Sequence, residues 1–192
     1  MTLPDGSVVE VNADSRLSYN KESWNENRVV NLEGEAFFSV EKGSNFRVKT
    51  NDGIVEVLGT SFNVYSRNDR LKVHCETGKV SVSSDGKETT LTPHQSVDVV
   101  NQKHNFKENV VESENRSTWR KGIFMYNRAS LVDVIAELER QFDIKIIMDK
   151  SFGNPNYTGS FQKSNIETAL TEVFYPLDLK FSIKGKDVTI TK

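Results

Sequence analysis

Three histidines, a single cysteine and two pairs of near-neighbour glutamates are the first places to look for chemistry in this chain. His74 and Cys75 are adjacent in "LKVHCETGKV", the types needed for a thiolate–imidazole nucleophile or half of a zinc site. Leu71, Val73 and Cys75 alternate there with Lys72, His74 and Glu76, however. A strand with that pattern sends the thiol to the core and the imidazole to solvent, so adjacency in sequence separates them in space. His94 lies in the turn "TPHQS" and His104 in a polar stretch, where exposed loop histidines are the expected reading. Glu33 and Glu35 bracket Gly34 and would face one side together, as general acid–base work requires. Glu112 and Glu114 repeat that spacing. No Gly-x-Ser-x-Gly elbow is present, and one cysteine supplies neither a disulfide framework nor a cysteine-based zinc site. The residues give no catalytic set, and no metal or cofactor is expected.

Gly59 is the other candidate, in "VEVLGTSFNVYS". A phosphate loop needs several glycines and a following helix. Here Gly59 and Thr60 are followed by more strand, and the apolar phase slips from odd positions (Val55, Val57) to even ones (Phe62, Val64). A residue without a Cβ at such a slip marks a bulge or a sheet corner.

The elements that must hold these residues change character along the chain. Residues 1–101 read as strands throughout, with turn signals such as Asp52-Gly53 and Asp85-Gly86 at short intervals and abundant valine. An all-β domain is expected, either a sandwich or a short β-solenoid. Residues 102–118, "QKHNFKENVVESENRST", are polar and irregular and form the expected linker. From 119 to 192 the pattern is mixed. "SLVDVIAELERQF" places Leu131, Val134, Ile135, Leu138 and Phe142 on one helical stripe, with Ser130 as N-cap and Asp133 three residues on. "SNIETALTEVF" is a second such helix, with Ser164 as cap and Glu167 after it. Short strands around them give a small α+β domain of order β-α-β-β-α-β-β. Gly122-Ile-Phe124 and Gly159-Ser-Phe161, one before each helix, form a weak internal repeat. Two βα units packed on one sheet would bury both stripes.

Composition fits a modest globular core, with 36% hydrophobic and 27% charged residues. The net charge of −2 argues against a general nucleic-acid binder, which needs a basic face. Residues 1–101 carry 11 basic and 15 acidic side chains, and residues 102–192 carry 14 and 12. No run approaches the roughly 18 apolar residues of a membrane span. The first residues, "MTLPDGSVVE", show no signal peptide. For a role outside the cytoplasm, an export signal or anchor is expected beyond these residues.

"LPDGSVVEVNADSRLSY", "RVVNLEGEAFFSV", "FRVKT" and above all "VEVLGTSFNVYS" resemble the periplasmic part of FecR-type transmembrane sensors, anti-sigma regulators of Bacteroidetes and other Gram-negative bacteria. "WRKGIFMYNRASLVDVIAELERQFDIKI", "YTGSFQ" and "IETALTEVF" are similar to the C-terminal domain of that family, itself like the short N-terminal domains of secretins and TonB-dependent receptors. The resemblance spans residues 2–192. It implies a periplasmic signalling module, tethered in its parent protein to the inner membrane by one N-terminal helix. Such a module receives the N-terminal signalling domain of an outer-membrane TonB-dependent transporter. A sigma factor would be held only by a cytoplasmic segment that this chain lacks. Gly34, Gly59 and Thr60 fall in the family's motifs as structural residues. One departure is His94-Gln95, where the family usually has Gly-Glu.

The residues expected to meet a partner are apolar positions left over after packing. If Phe124 and Tyr126 face the helices, Ile123 and Met125 face away, as does Ile147 in "DIKIIMD". Either a partner protein covers these positions, or the first domain and the linker with Phe106 do. Trp24, in the polar loop "NKESWNENR", supports an alternative of another class, a periplasmic glycan-binding module with an aromatic platform. A hydrolase using Glu33 and Glu35 is the third reading.

Overall fold

In the computed structural model the described residues are 1–100, 107–109 and 117–192. They form two compact units, Met1–Ser117 and Thr118–Lys192, each with its own apolar core. The expected linker lies largely outside the described residues; within it, Lys107–Asn109 is strand.

The first unit is all β, as its turn spacing and valine content require. Its strands are β1 (Val8–Val11), β2 (Arg16–Tyr19), β3 (Arg28–Ser39), β4 (Phe46–Lys49), β5 (Ile54–Val57), β6 (Ser61–Arg67), β7 (Arg70–Cys75), β8 (Val80–Ser84), β9 (Lys87–Leu91), β10 (Ser96–Val100) and β11 (Lys107–Asn109). They join in one eleven-stranded sheet that folds over on itself at β3. The first half of β3 lies between β2 and β4, and its second half between β1 and β6. Two layers follow, β2-β3-β4-β5-β8-β9 and β1-β3-β6-β7-β10-β11, with β3 belonging to both. Successive hairpins alternate between them: β4–β5 in one, β6–β7 in the other, β8–β9 back in the first, β10–β11 in the second. The unit is therefore a sandwich wound like a solenoid.

The phase slip at Gly59 is one of the crossings between layers. Val55 and Val57 point inward from β5, and Phe62 and Val64 point inward from β6 in the opposite layer. The crossings stack on one another through backbone hydrogen bonds. Val40 N–H donates to Thr60 O and Gly43 N–H to Leu58 O, both at 2.9 Å. Glu76 N–H donates to Ser61 O at 2.8 Å, and Cys75 N–H to Gln95 O at 2.9 Å. Gly59 has φ +155°, and a Cβ there would stand 2.7 Å from the Lys42 Cα. At the fold line Gly34 has φ +102°, and its Cβ would stand 2.9 Å from the Ser15 Cα. Both positions exclude a side chain because backbone already occupies the space. In the last crossing His94 takes φ +68°, the left-handed conformation that glycine supplies more readily, and donates its N–H to Cys75 O at 2.8 Å. The crossing keeps its geometry despite the missing glycine.

Phe38, Phe62, Val64, Val73 and Val97 from one layer meet Phe46, Val48, Val55, Val82 and Leu91 from the other in the first core. Phe38 and Phe46 touch edge to face at 6.1 Å across the layers. Arg28, buried at the edge of this core, lies 5.7 Å from the Phe46 ring centroid. Its Nη1 donates to Asp5 Oδ2 at 2.8 Å and to Glu41 O at 3.0 Å, and Nη2 donates to Ser44 O. The guanidinium thus ties the N-terminal turn to the first crossing.

The second unit runs β12 (Ile123–Ser130), α1 (Leu131–Phe142), β13 (Lys145–Ile147), β14 (Asn156–Gln162), α2 (Ile166–Phe174), β15 (Lys180–Lys184) and β16 (Asp187–Thr191), with single helical turns at Thr118–Lys121, Lys150–Phe152 and Tyr175–Leu177. The order is the expected β-α-β-β-α-β-β. The expected single sheet is corrected to two: a β12–β14 antiparallel pair, and a three-stranded sheet in the order β13-β16-β15. The apolar surface of the helices explains this. Leu131, Val134 and Leu138 of α1 and Ala169, Leu170, Val173 and Phe174 of α2 are all fully buried, with Ile135 and Phe142 partly so. Such a surface needs apolar cover on more than one side. Phe124, Tyr157 and Phe161 supply it from the two-stranded sheet, and Ile146, Val188 and Ile190 from the three-stranded one.

The weak repeat has a structural meaning. Phe124 and Phe161 are register partners on β12 and β14, with their rings stacked 4.7 Å apart. Of the two expected helix caps, Ser130 does stand at the N-cap of α1, and Ser164 of α2 is corrected. Ser130 makes no capping bond; Asn154, from the loop before β14, accepts Val132 N–H at 3.1 Å instead. In α2 the cap is Asn165, not Ser164, and its Oδ1 accepts Thr168 N–H at 3.0 Å. An asparagine one residue nearer the helix reaches the free amide that the serine does not.

Candidate partner-binding surfaces

Among the described residues the groups with chemistry do not converge. Cys75 is fully buried, and burial pushes its thiol up to about 11, so it is not a thiolate at neutral pH. His74 departs from expectation: it is 6% exposed, not solvent-facing, with Nδ1 2.8 Å from Ser96 Oγ. It sits on an interior strand, between β6 and β10, so alternation gives its face but not its exposure. The side chains of His74 and Cys75 do occupy opposite faces of β7, as that alternation demands. Glu35 is also buried, at 9% exposure, accepting from Asn12 Nδ2 and Asn63 Nδ2 at 2.8 Å each. Glu33 stands exposed in the half of β3 that pairs with β2, on the other side of the fold line. The two carboxylates belong to different layers, which removes the paired-glutamate hydrolase site. His104, Phe106, Glu112 and Glu114 lie outside the described residues. Among the described residues no group of His, Cys, Asp or Glu is arranged to hold a metal.

Trp24 is a core residue. It is 2% exposed, edge to face with Tyr19 at 5.1 Å and with Phe46 at 6.0 Å. The polar loop around it turns its one large apolar side chain inward, since burying an indole recovers about 2–3 kcal/mol. A ring packed on both sides by protein is no platform for a sugar, so the glycan-binding alternative loses the residue on which it rested.

The structural-motif residues cluster at bends. Gly34 and Gly59 stand where backbones touch, and Thr60 is buried beside Gly59, its methyl 2.4 Å from where a Gly78 Cβ would sit. That contact compels glycine at position 78 in the next crossing as well.

The three proposed contact positions of the second unit are accessible, but they do not form one patch. Phe124 and Tyr126 face the helices; Met125, on the other face of β12, is 50% exposed and Ile123 is half-buried. Their register partners on β14 are the uncharged Gln162 and Ser160. Ile147 is also 50% exposed, but on the outer face of β13, in register with Thr189 of β16. Met125 and Ile147 thus stand on two different sheets, each on the face turned away from the shared core. Neither sheet is closed, for β12, β14, β13 and β15 each lack a strand on one side among the described residues.

A feature missed in the sequence lies on β15. Phe181 and Ile183 pair with Ile190 and Val188 and so face the core, yet Ile183 remains 38% exposed. Lys180, Ser182 and Lys184 project from the opposite face, all exposed. The alternation in "KFSIK" carries this signal, but the position of β15 at the sheet edge does not show in it.

The family models described as "FecR protein" and "FecR, C-terminal" match residues 1–81 and 123–190. No curated protein matches the chain. Two crystal structures of a candidate anti-sigma factor from Parabacteroides distasonis are similar over 100% of this chain, at 29% identity. The matches cover 93% and 92% of those chains, with TM-scores of 0.89 and 0.90.

Proposed function

Because the chain belongs to the FecR family, whose members are regulators and not enzymes, we propose that it is the signal-receiving region of an anti-sigma regulator. It works in the periplasm, where it binds the N-terminal signalling domain of an outer-membrane TonB-dependent transporter through its second unit. The likeness to a candidate anti-sigma factor along the whole chain supports the regulatory role. One observation carries the choice of surface: Met125, half exposed on the outer face of the two-stranded sheet with an open edge beside it. Large apolar side chains on such faces mark protein contacts.

The mechanism is a difference in affinity. A transporter domain that binds one conformation of this region better than another shifts the population toward it by the ratio of the two affinities. Contact with a sigma factor is left to a cytoplasmic segment outside these residues, and a membrane helix joins the two. Among the described residues no helix is long and apolar enough to cross a membrane.

Calorimetric titration of the full chain with purified transporter signalling domains tests the proposal. One cognate domain is expected to bind, and Met125→Glu to weaken it by about tenfold or more, as for a residue at the centre of a contact. The thermal midpoint should stay within the range of ordinary surface substitutions. Ile147→Glu examines the three-stranded sheet in the same way. Loss of the fold in Met125→Glu, or binding indifferent to both variants, would remove these positions from the contact.

A further inference from the structure

The free edge of the three-stranded sheet specifies what should lie against it. β15 is an outer strand, paired with β16 on one side and with no described strand on the other. Its two faces are chemically distinct. Lys180 and Lys184 stand on the outward face, separated by Ser182, about 13 Å apart at the usual rise along a strand. Neither lysine makes an ion pair among the described residues, whereas Lys145 and Lys186 are held by Glu139 and Asp143. On the inward face Phe181 is only half-buried and Ile183 is 38% exposed, although both point toward the core. Their partners Ile190 and Val188 on the interior strand are 3% and 0% exposed. One more strand would supply the missing lateral cover, and the Cβ atoms of its outward side chains would lie about 5 Å from those of the two lysines.

From this we infer that the Lys180–Lys184 edge takes up an extended segment of a partner protein by strand addition, acidic on one face and apolar on the other. Backbone hydrogen bonds would give affinity, apolar side chains beside Phe181 and Ile183 would complete the core edge, and acidic side chains beside Lys180 and Lys184 would set register and choice of partner. The inference rests on the reading of the second unit as the docking unit and names the chemistry of the segment it receives. Lysines on an edge also repel strands of like composition, so the same pair selects against this chain's own β15.

The test uses the full chain and two short blocked peptides, one alternating glutamate with valine and one alternating lysine with valine, each titrated by fluorescence anisotropy. The glutamate peptide is expected to bind, more weakly as salt is raised, and the lysine peptide not to bind. The double variant Lys180→Glu/Lys184→Glu should lose at least about tenfold for the glutamate peptide and gain binding of the lysine peptide. Ile183→Thr should weaken the glutamate peptide without reversing the preference. Equal binding of both peptides, binding unaffected by the charge reversal, or no binding at all would overturn the inference. Vesicles of phosphatidylglycerol provide a further arm, and sedimentation with them, lost in the double variant while no peptide binds, would replace the strand by a membrane surface. If peptides bind but no transporter domain does, the edge stands and the transporter reading falls; the converse result separates the two the other way.

Discussion

At the scale of single residues, the backbone decides more than the side-chain chemistry. Gly59 is required because the Lys42 backbone fills the place of its Cβ, so Gly59→Ala should destabilise the first unit by at least about 2 kcal/mol. His94 is the opposite case, an exposed side chain on a left-handed backbone. Left-handed residues other than glycine carry a penalty of about 1–2 kcal/mol, partly offset by the greater freedom of glycine in the unfolded chain. His94→Gly should therefore raise stability by about 1 kcal/mol or less, and urea denaturation of both variants measures the contrast. Asp5 gives a pH effect. Burial pushes its carboxyl up, but hydrogen bonds from Arg28 and Ser7 outweigh that and hold it below its ordinary value of 3.8. A carboxyl held low when folded contributes stability that is fully present above the ordinary value and is lost as pH falls through the folded one. The stability advantage over Asp5→Asn should thus be constant near neutral pH and shrink below 3.8, as read from denaturation midpoints across that range.

At the scale of elements, local sequence signals named the right segments and sometimes the wrong partners. The stripe Leu131, Val134, Leu138 identified α1, since a 3.6-residue period can be read without tertiary information. Ser130 holds its N-cap position as the sequence suggests, but the side chain that bonds its first turn could not be identified this way, because Asn154 arrives from a loop some twenty positions away in the chain, as the Val132 bond records with a separation of 22. Asn154→Ala should accordingly lower the stability of the second unit by about 1 kcal/mol and Ser130→Ala by less, with far-UV circular dichroism in urea as the measurement. His74 is the same lesson on a strand. Alternation placed its side chain on the face opposite Cys75, but the neighbours β6 and β10 decided that this face is buried there.

At the scale of the whole molecule, each unit owns a closed set of buried side chains, from Leu3 to Val99 in the first core and from Phe124 to Ile190 in the second. Residues 118–192 expressed alone should therefore unfold cooperatively with a single midpoint; a broad, non-cooperative melt by calorimetry would contradict that independence. The sequence by itself determined the two kinds of architecture, the strand and helix segments, the order β-α-β-β-α-β-β and the family. All of these follow from period, turn residues and short motifs, which are properties of neighbours along the chain. Only the tertiary structure decided that β3 belongs to two layers, that the helices take their cover from two sheets, that Trp24 and Glu35 are buried, and that Met125 and Ile147 stand on different sheets. Those outcomes depend on which distant strands pair, and pairing is settled by the total apolar surface that each arrangement removes from water, a quantity that no local pattern contains.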